Sequence, residues 1–125
     1  MEKLILVFLG GGVGSLLRFS FSRMFPWVPG TFPVSTLLAN LLASLAAGFL
    51  ASFLLKSSGA EWPKYLILIG FCGGLSTFST FSIENISLME NGKTALVILY
   101  TISSVLLSFL FAWCGFFIHK SIFNA

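Results

Sequence analysis

Apolar residues run through this chain in four long blocks, at about residues 4–24, 33–55, 64–89 and 94–119. Short segments separate them: FPWVPGTFP, KSSGAEWP and ENGK, each carrying the Pro, Gly or Asn that marks a turn. A helix needs about twenty mostly apolar residues to cross the hydrocarbon of a bilayer. Every block is long enough. The pattern therefore predicts an all-α membrane protein with four transmembrane helices in a single domain spanning residues 1–125. Four passes leave both termini on one side. There is no long linker, low-complexity tract or convincing internal repeat.

Composition strengthens that reading. The chain is 57% hydrophobic and 9% charged, with mean hydropathy +1.00. A soluble domain carries roughly a quarter charged residues, so lipid is the expected solvent and the cell membrane the expected location. The net charge of +3 comes from Lys and Arg scattered singly, which argues against nucleic acid as a partner. No A-x-A-like cleavage site follows the first block, so a retained first helix is expected rather than a signal peptide. Cys72 and Cys114 lie in apolar surroundings and read as small buried hydrophobes.

Charge also bears on orientation. One side of the membrane would receive Lys3, Lys56, Lys64 and Lys120, and the other Arg18, Arg23 and Lys93. Lys and Arg set topology by their excess on the cytoplasmic side, and here there is almost none. Either the weak bias still fixes one topology, or the chain inserts both ways and opposite copies pair. Four helices hardly enclose an aqueous path alone, which favours an oligomer. Stripes of small residues (Gly10, Gly11, Gly14; Ala39, Ala43, Ala46, Ala47) would let helices approach closely.

The third block is the least like a plain membrane span. GFCGGLSTFSTFSIEN, residues 70–85, holds glycines, five Ser/Thr hydroxyls, a carboxylate and three phenylalanines. Gly73-Gly74 followed by Ser76-Thr77 either breaks the helix or serves packing within an unbroken one. A break would free carbonyls, good ligands for a hard cation. Phe78 and Phe81 stand i, i+3 and share a face, while Thr80 and Glu84 stand i, i+4 on a neighbouring one. Phenyl edges are electropositive; with hydroxyl donors they favour a small anion without binding it too tightly to leave. The competing reading of the Phe pair is core packing.

Polar stripes recur in other blocks. Thr36 and Asn40 stand four apart in the second, and Tyr100, Ser104 and Ser108 step by four along the fourth. One such stripe would be interhelical glue; three, with donors and acceptors, suggest a polar track. Arg18 reads either as a snorkelling anchor or as part of an electropositive vestibule, and Glu84 as an acceptor ordering the hydroxyls. The single histidine, His119, beside Lys120, reads as an interface residue. No nucleophile–base–acid set sits at membrane depth, so an enzyme is not expected.

Taken together, GGGVGSLLRF, PGTFPVSTLLAN and GFCGGLSTFSTFSIE, with the Tyr100/Ser104/Ser108 stripe, resemble the Fluc (CrcB) family of small fluoride channels over nearly the whole chain. The resemblance implies a broken third helix and an antiparallel, dual-topology homodimer with two fluoride pores at its interface. Phe78 and Phe81 match the family's phenylalanine box, and Asn40 its pore-lining Asn. Ser79, Thr80, Tyr100, Ser104 and Ser108 match its polar track, supported by Thr36 and Glu84, and Arg18 its vestibule arginine. Gly73 and Ser76 match positions whose carbonyls hold a structural Na+ between subunits. Ser76-Thr77 departs from the family's Thr-Thr, and Ser35-Thr36 and ANLLAS depart in the second span. The implied function is passive export of fluoride. The rivals are a small four-helix multidrug exporter, disfavoured because the first span holds no acid, and a non-transporting assembly protein.

Overall fold

A computed structural model describes residues 1–56 and 59–123. The described residues are helical apart from short connections: α1 (Glu2–Met24), α2 (Val34–Leu54), a π-helical segment (Lys64–Cys72) running into α3 (Gly73–Leu75), α4 (Phe78–Glu90) and α5 (Thr94–Phe123). Four spans are long and apolar enough to cross a membrane, the third being the composite Lys64–Glu90. The turn into α5 follows from ENGK. Gly92 takes φ 69°, a left-handed conformation open to glycine. There Lys93 N–H donates to Leu88 O (2.9 Å) and Gly92 N–H to Met89 O (3.0 Å), satisfying the last carbonyls of α4.

α1 lies directly on the π segment and α3, and glycine makes the approach possible. A Cβ on Gly10 would run into Leu66 O, and one on Gly14 into Phe71 O. Such contact lets dispersion act between backbones, which matters in lipid because apolar burial between helices gains little there. The alanine stripe on α2 behaves as expected. Ala39 and Ala43 are buried with Cys72 and Leu75, against Phe21, Ala46, Ala47, Ile67 and Phe71. Lys3 Nζ pairs with Glu61 Oε2 at 2.7 Å, tying the start of α1 to the connection before the π segment. Large apolar side chains face outward along α1 and α5, among them Phe8, Leu16, Phe109 and Trp113. That is the distribution lipid selects.

Two expectations change. Cys72 is buried, but Cys114 is exposed on α5 rather than buried. His119 is buried instead of lying at an interface: its Nδ1 is 3.0 Å from Ser52 Oγ, and Phe123 stacks on its ring at 4.8 Å. Ser52, two residues from the end of α2, offers the polar contact that lets an imidazole leave water.

Candidate functional site: a broken helix between two clefts

The third span is broken, two residues later than the glycines. Gly73 stays helical (φ −65°, ψ −36°), whereas Ser76 (ψ 152°) and Thr77 (φ −151°, ψ 118°) are extended. The glycines serve approach instead: a Cβ on Gly74 would run into Gly11 O. Thr77 ends the extended step by capping α4. Its Oγ1 accepts from Thr80 N–H (3.2 Å) and donates to Thr80 Oγ1 (3.0 Å).

An interrupted helix in lipid leaves polar backbone groups that must find partners. Asn40 on α2 supplies one pair. Its Oδ1 accepts from Thr77 N–H (2.7 Å) and its Nδ2 donates to Thr77 O (3.3 Å). Arg18 on α1 supplies the other, with Nε donating to Gly74 O at 3.1 Å, joined by Ser15 Oγ at 3.5 Å. Ser76 bonds back within its own helix, Oγ to Cys72 O at 2.8 Å.

These diversions have a consequence for Gly73 and Ser76. In a continuous helix their carbonyls would accept from Thr77 N–H and Thr80 N–H. Both donors are instead taken by side-chain oxygens, of Asn40 and Thr77. Gly73 and Ser76 are also exposed on the chain surface. Two hard oxygens per chain suit a hard cation in kind, but they are too few to surround one.

Two clefts flank the break, and Thr77 lines both. The first, about 450 Å³, brings together Asn40, Ser76, Phe78, Phe81, Ser104 and Ser108, with Ser44, Val105 and Phe109. Among the described residues, no ionisable side chain lines it. Phe78 and Phe81 are neighbours (ring centroids 5.4 Å apart), and Phe78 is 78% exposed. Ser104 is 8% exposed and its Oγ has no hydrogen-bond partner among the described residues. The second cleft, about 440 Å³, gathers Arg18, Thr36, Thr80 and Glu84, with Ser15, Ser35 and Trp27.

Tyr100 lines neither cleft. It is fully buried beneath the break, with its ring 4.9 Å from Phe81 and 5.4 Å from Phe32. Its hydroxyl donates to Glu84 Oε2 (2.7 Å), and Thr36 Oγ1 donates to Glu84 Oε1 (2.6 Å). Glu84, 4% exposed, thus has a donor on each oxygen. That satisfies a carboxylate out of water and locks α2, α4 and α5 together. Thr36 therefore does not continue Asn40's stripe into the first cleft. Ser79 is exposed, its Oγ 3.3 Å from Thr77 Oγ1.

Thr77 and Ser44 escaped the sequence reading. Thr77 had a legible signal, a hydroxyl residue directly before the resumed apolar run, which is where an N-cap belongs. Ser44 had only its i+4 spacing from Asn40.

Comparison with known proteins agrees with this architecture. Residues 5–116 match the family described as CrcB-like protein, Camphor Resistance (CrcB). This chain belongs to the CrcB family. It is 34% identical over 124 residues to a protein of Flavobacterium psychrophilum named fluoride-specific ion channel FluC, covering 98% of this chain and 100% of that one. A Pyrococcus abyssi protein of the same name is 38% identical over 122 residues, covering 96% and 98%. One from Pectobacterium carotovorum is 42% identical over 96 residues, 75% of each. As a CrcB protein with four apolar spans, the chain is a multi-pass protein of the cell membrane.

Proposed function

We propose that this protein is a fluoride channel, exporting fluoride passively from the cytoplasm, and not an enzyme. The names of its relatives support the ion. The observation that carries the reading to this chain is the first cleft, which offers phenyl rings, an amide and serine hydroxyls and no ionisable side chain. Fluoride is small, strongly hydrated and only an acceptor. To cross at this depth it must exchange water for donors, and a full positive charge would hold it too long.

In this reading Phe78 and Phe81 turn ring edges to the ion, Asn40 adds an amide N–H, and Ser104 and Ser108 lead onward. Thr80 shares the second cleft with Arg18, whose guanidinium raises the local concentration of anions, and Ser79, which lines neither cleft, stands beside Thr77. Glu84, Tyr100 and Thr36 shape the path from behind by fixing α4 against α2 and α5.

The first cleft is open on one side, and the 78% exposed Phe78 stands at its edge. A second copy inserted in the opposite sense would close it, giving an antiparallel homodimer with two pores. Gly73 and Ser76, exposed residues whose carbonyls lose their helical donors, suit the same arrangement: a second copy would double the oxygens and make a structural Na+ site between subunits. When bound, Na+ supplies a cross-link between the two breaks.

The test is fluoride-electrode efflux from liposomes holding the purified protein, with chloride as control. Fluoride should leave and chloride should stay. Phe78→Ile and Phe81→Ile should each slow fluoride release while the oligomer still assembles; unchanged release in both would reject their role.

A further inference from the structure

Ser44 is a residue the channel reading leaves without a role, and its surroundings assign it one. It lies on α2 one turn beyond Asn40, so the two share a face. Both line the first cleft, as Ser104 and Ser108 of α5 do. The stripe of α2 that faces this cleft is thus Asn40–Ser44, since Thr36 is turned to Glu84.

Serines inside membrane helices commonly bond back to the carbonyl four residues earlier. Ser20, Ser76 and Ser82 of this chain do so, at 2.9, 2.8 and 2.9 Å. Of the four serines that line the cleft, the three other than Ser76 do not. Ser44, Ser104 and Ser108 make no hydrogen bond among the described residues, and Ser104 Oγ is shut away from solvent as well. A hydroxyl out of water with no acceptor is costly. Among the described residues, neither a carboxylate nor any other charged side chain lines the cleft. An acceptor that carries no donors of its own, which describes a partly dehydrated anion, would give the hydroxyls that reach it the partner they lack; Ser104 Oγ, closed off from solvent, would have to turn toward it.

We infer that Ser44 is a further ion-contacting residue, one that helps set specificity by presenting a hydroxyl from α2 across from those of α5. The inference rests on the channel reading above. With donors on two helices, a small anion replaces more of its lost water than donors on α5 alone would allow. A larger anion has less hydration to replace, so the second set of donors favours the small one.

Threonine and valine have nearly the same shape and differ by the hydroxyl, so Ser44→Thr and Ser44→Val isolate the donor. Both are measured in liposomes beside the unsubstituted protein, with fluoride and chloride release followed together. We expect Ser44→Val to release fluoride about tenfold more slowly or worse, the loss of one hydrogen bond to a charged group. Ser44→Thr should stay within about threefold of the unsubstituted protein. Ser44→Ala, which adds nothing to the cleft, should be slow like Ser44→Val. If Val and Thr release fluoride at the same rate, the hydroxyl is idle and the inference fails, whatever the channel does. If the unsubstituted protein releases none, the channel reading itself fails, and this inference with it.

Discussion

Asn40 carries the interrupted helix almost alone on the α2 side, and replacing it by leucine tests that directly. Leucine has a similar bulk and no polar atom, so Thr77 would lose both the acceptor of its N–H at 2.7 Å and the donor to its carbonyl at 3.3 Å. A buried group left without its partner costs about 1–3 kcal/mol. The first contact is short and counts at the upper end of that range; the second is long and counts at the lower. Together they come to about 3–4 kcal/mol. This penalty is local, because Arg18 and Ser15 still hold Gly74 O on the other side of the break. Hydrogen exchange at the Thr77 amide reads it. Every 1.4 kcal/mol is tenfold, so the amide should exchange roughly 100- to 700-fold faster in Asn40→Leu. Asn40→Asp keeps an oxygen for the same N–H and should retain most of the protection. Exchange in Asn40→Leu at the original rate would refute the clamp, and so would equal loss of protection in the two variants.

Two further outcomes follow from contacts elsewhere. Tyr100→Phe and Thr36→Val each strip one donor from buried Glu84, and each should lower stability in detergent denaturation by about 1.5–3 kcal/mol, the range for hydrogen bonds to charged groups. A change below about 0.5 kcal/mol in both would mean that Glu84 finds other partners. Gly14→Ala would drive a methyl into Phe71 O and should cost about 1–3 kcal/mol in thermal denaturation, whereas Gly12→Ala, which meets nothing within 4 Å, should be neutral or slightly stabilising. Equal behaviour of the two would argue against close backbone packing of α1.

The apolar spans of this chain carry many polar groups. Most have an internal partner: Asn40 and Arg18 on the backbone of the break, Thr77 on Thr80, Tyr100 and Thr36 on Glu84. Ser44, Ser104 and Ser108, which line the first cleft, make no hydrogen bond among the described residues, and outside that cleft the buried Asn85 Oδ1 is also without a partner. In hydrocarbon an idle donor is a standing cost, and the three on this cleft are groups that the proposed ion path would use.

Much of this was legible from residues alone. Four apolar blocks of sufficient length dictate four spans, because no shorter or more polar segment crosses hydrocarbon unaided. The i, i+3 spacing placed Phe78 and Phe81 together, and i+4 spacing placed Ser104 above Ser108, since helix geometry is local. Tertiary structure decided what local geometry leaves open. Gly73 and Gly74 look like a break and are not; whether glycine bends a helix or lets another approach depends on what lies opposite, and Gly11 lies opposite Gly74. Thr36 and Asn40 share a stripe in sequence, yet one turns to Glu84 and the other to Thr77. Tyr100 shares a stripe with Ser104 and Ser108 but is drawn beneath the break by the same carboxylate. Periodicity says which side chains share a face. Which of them finds a partner, and which is left facing the cleft, is settled only when distant helices meet.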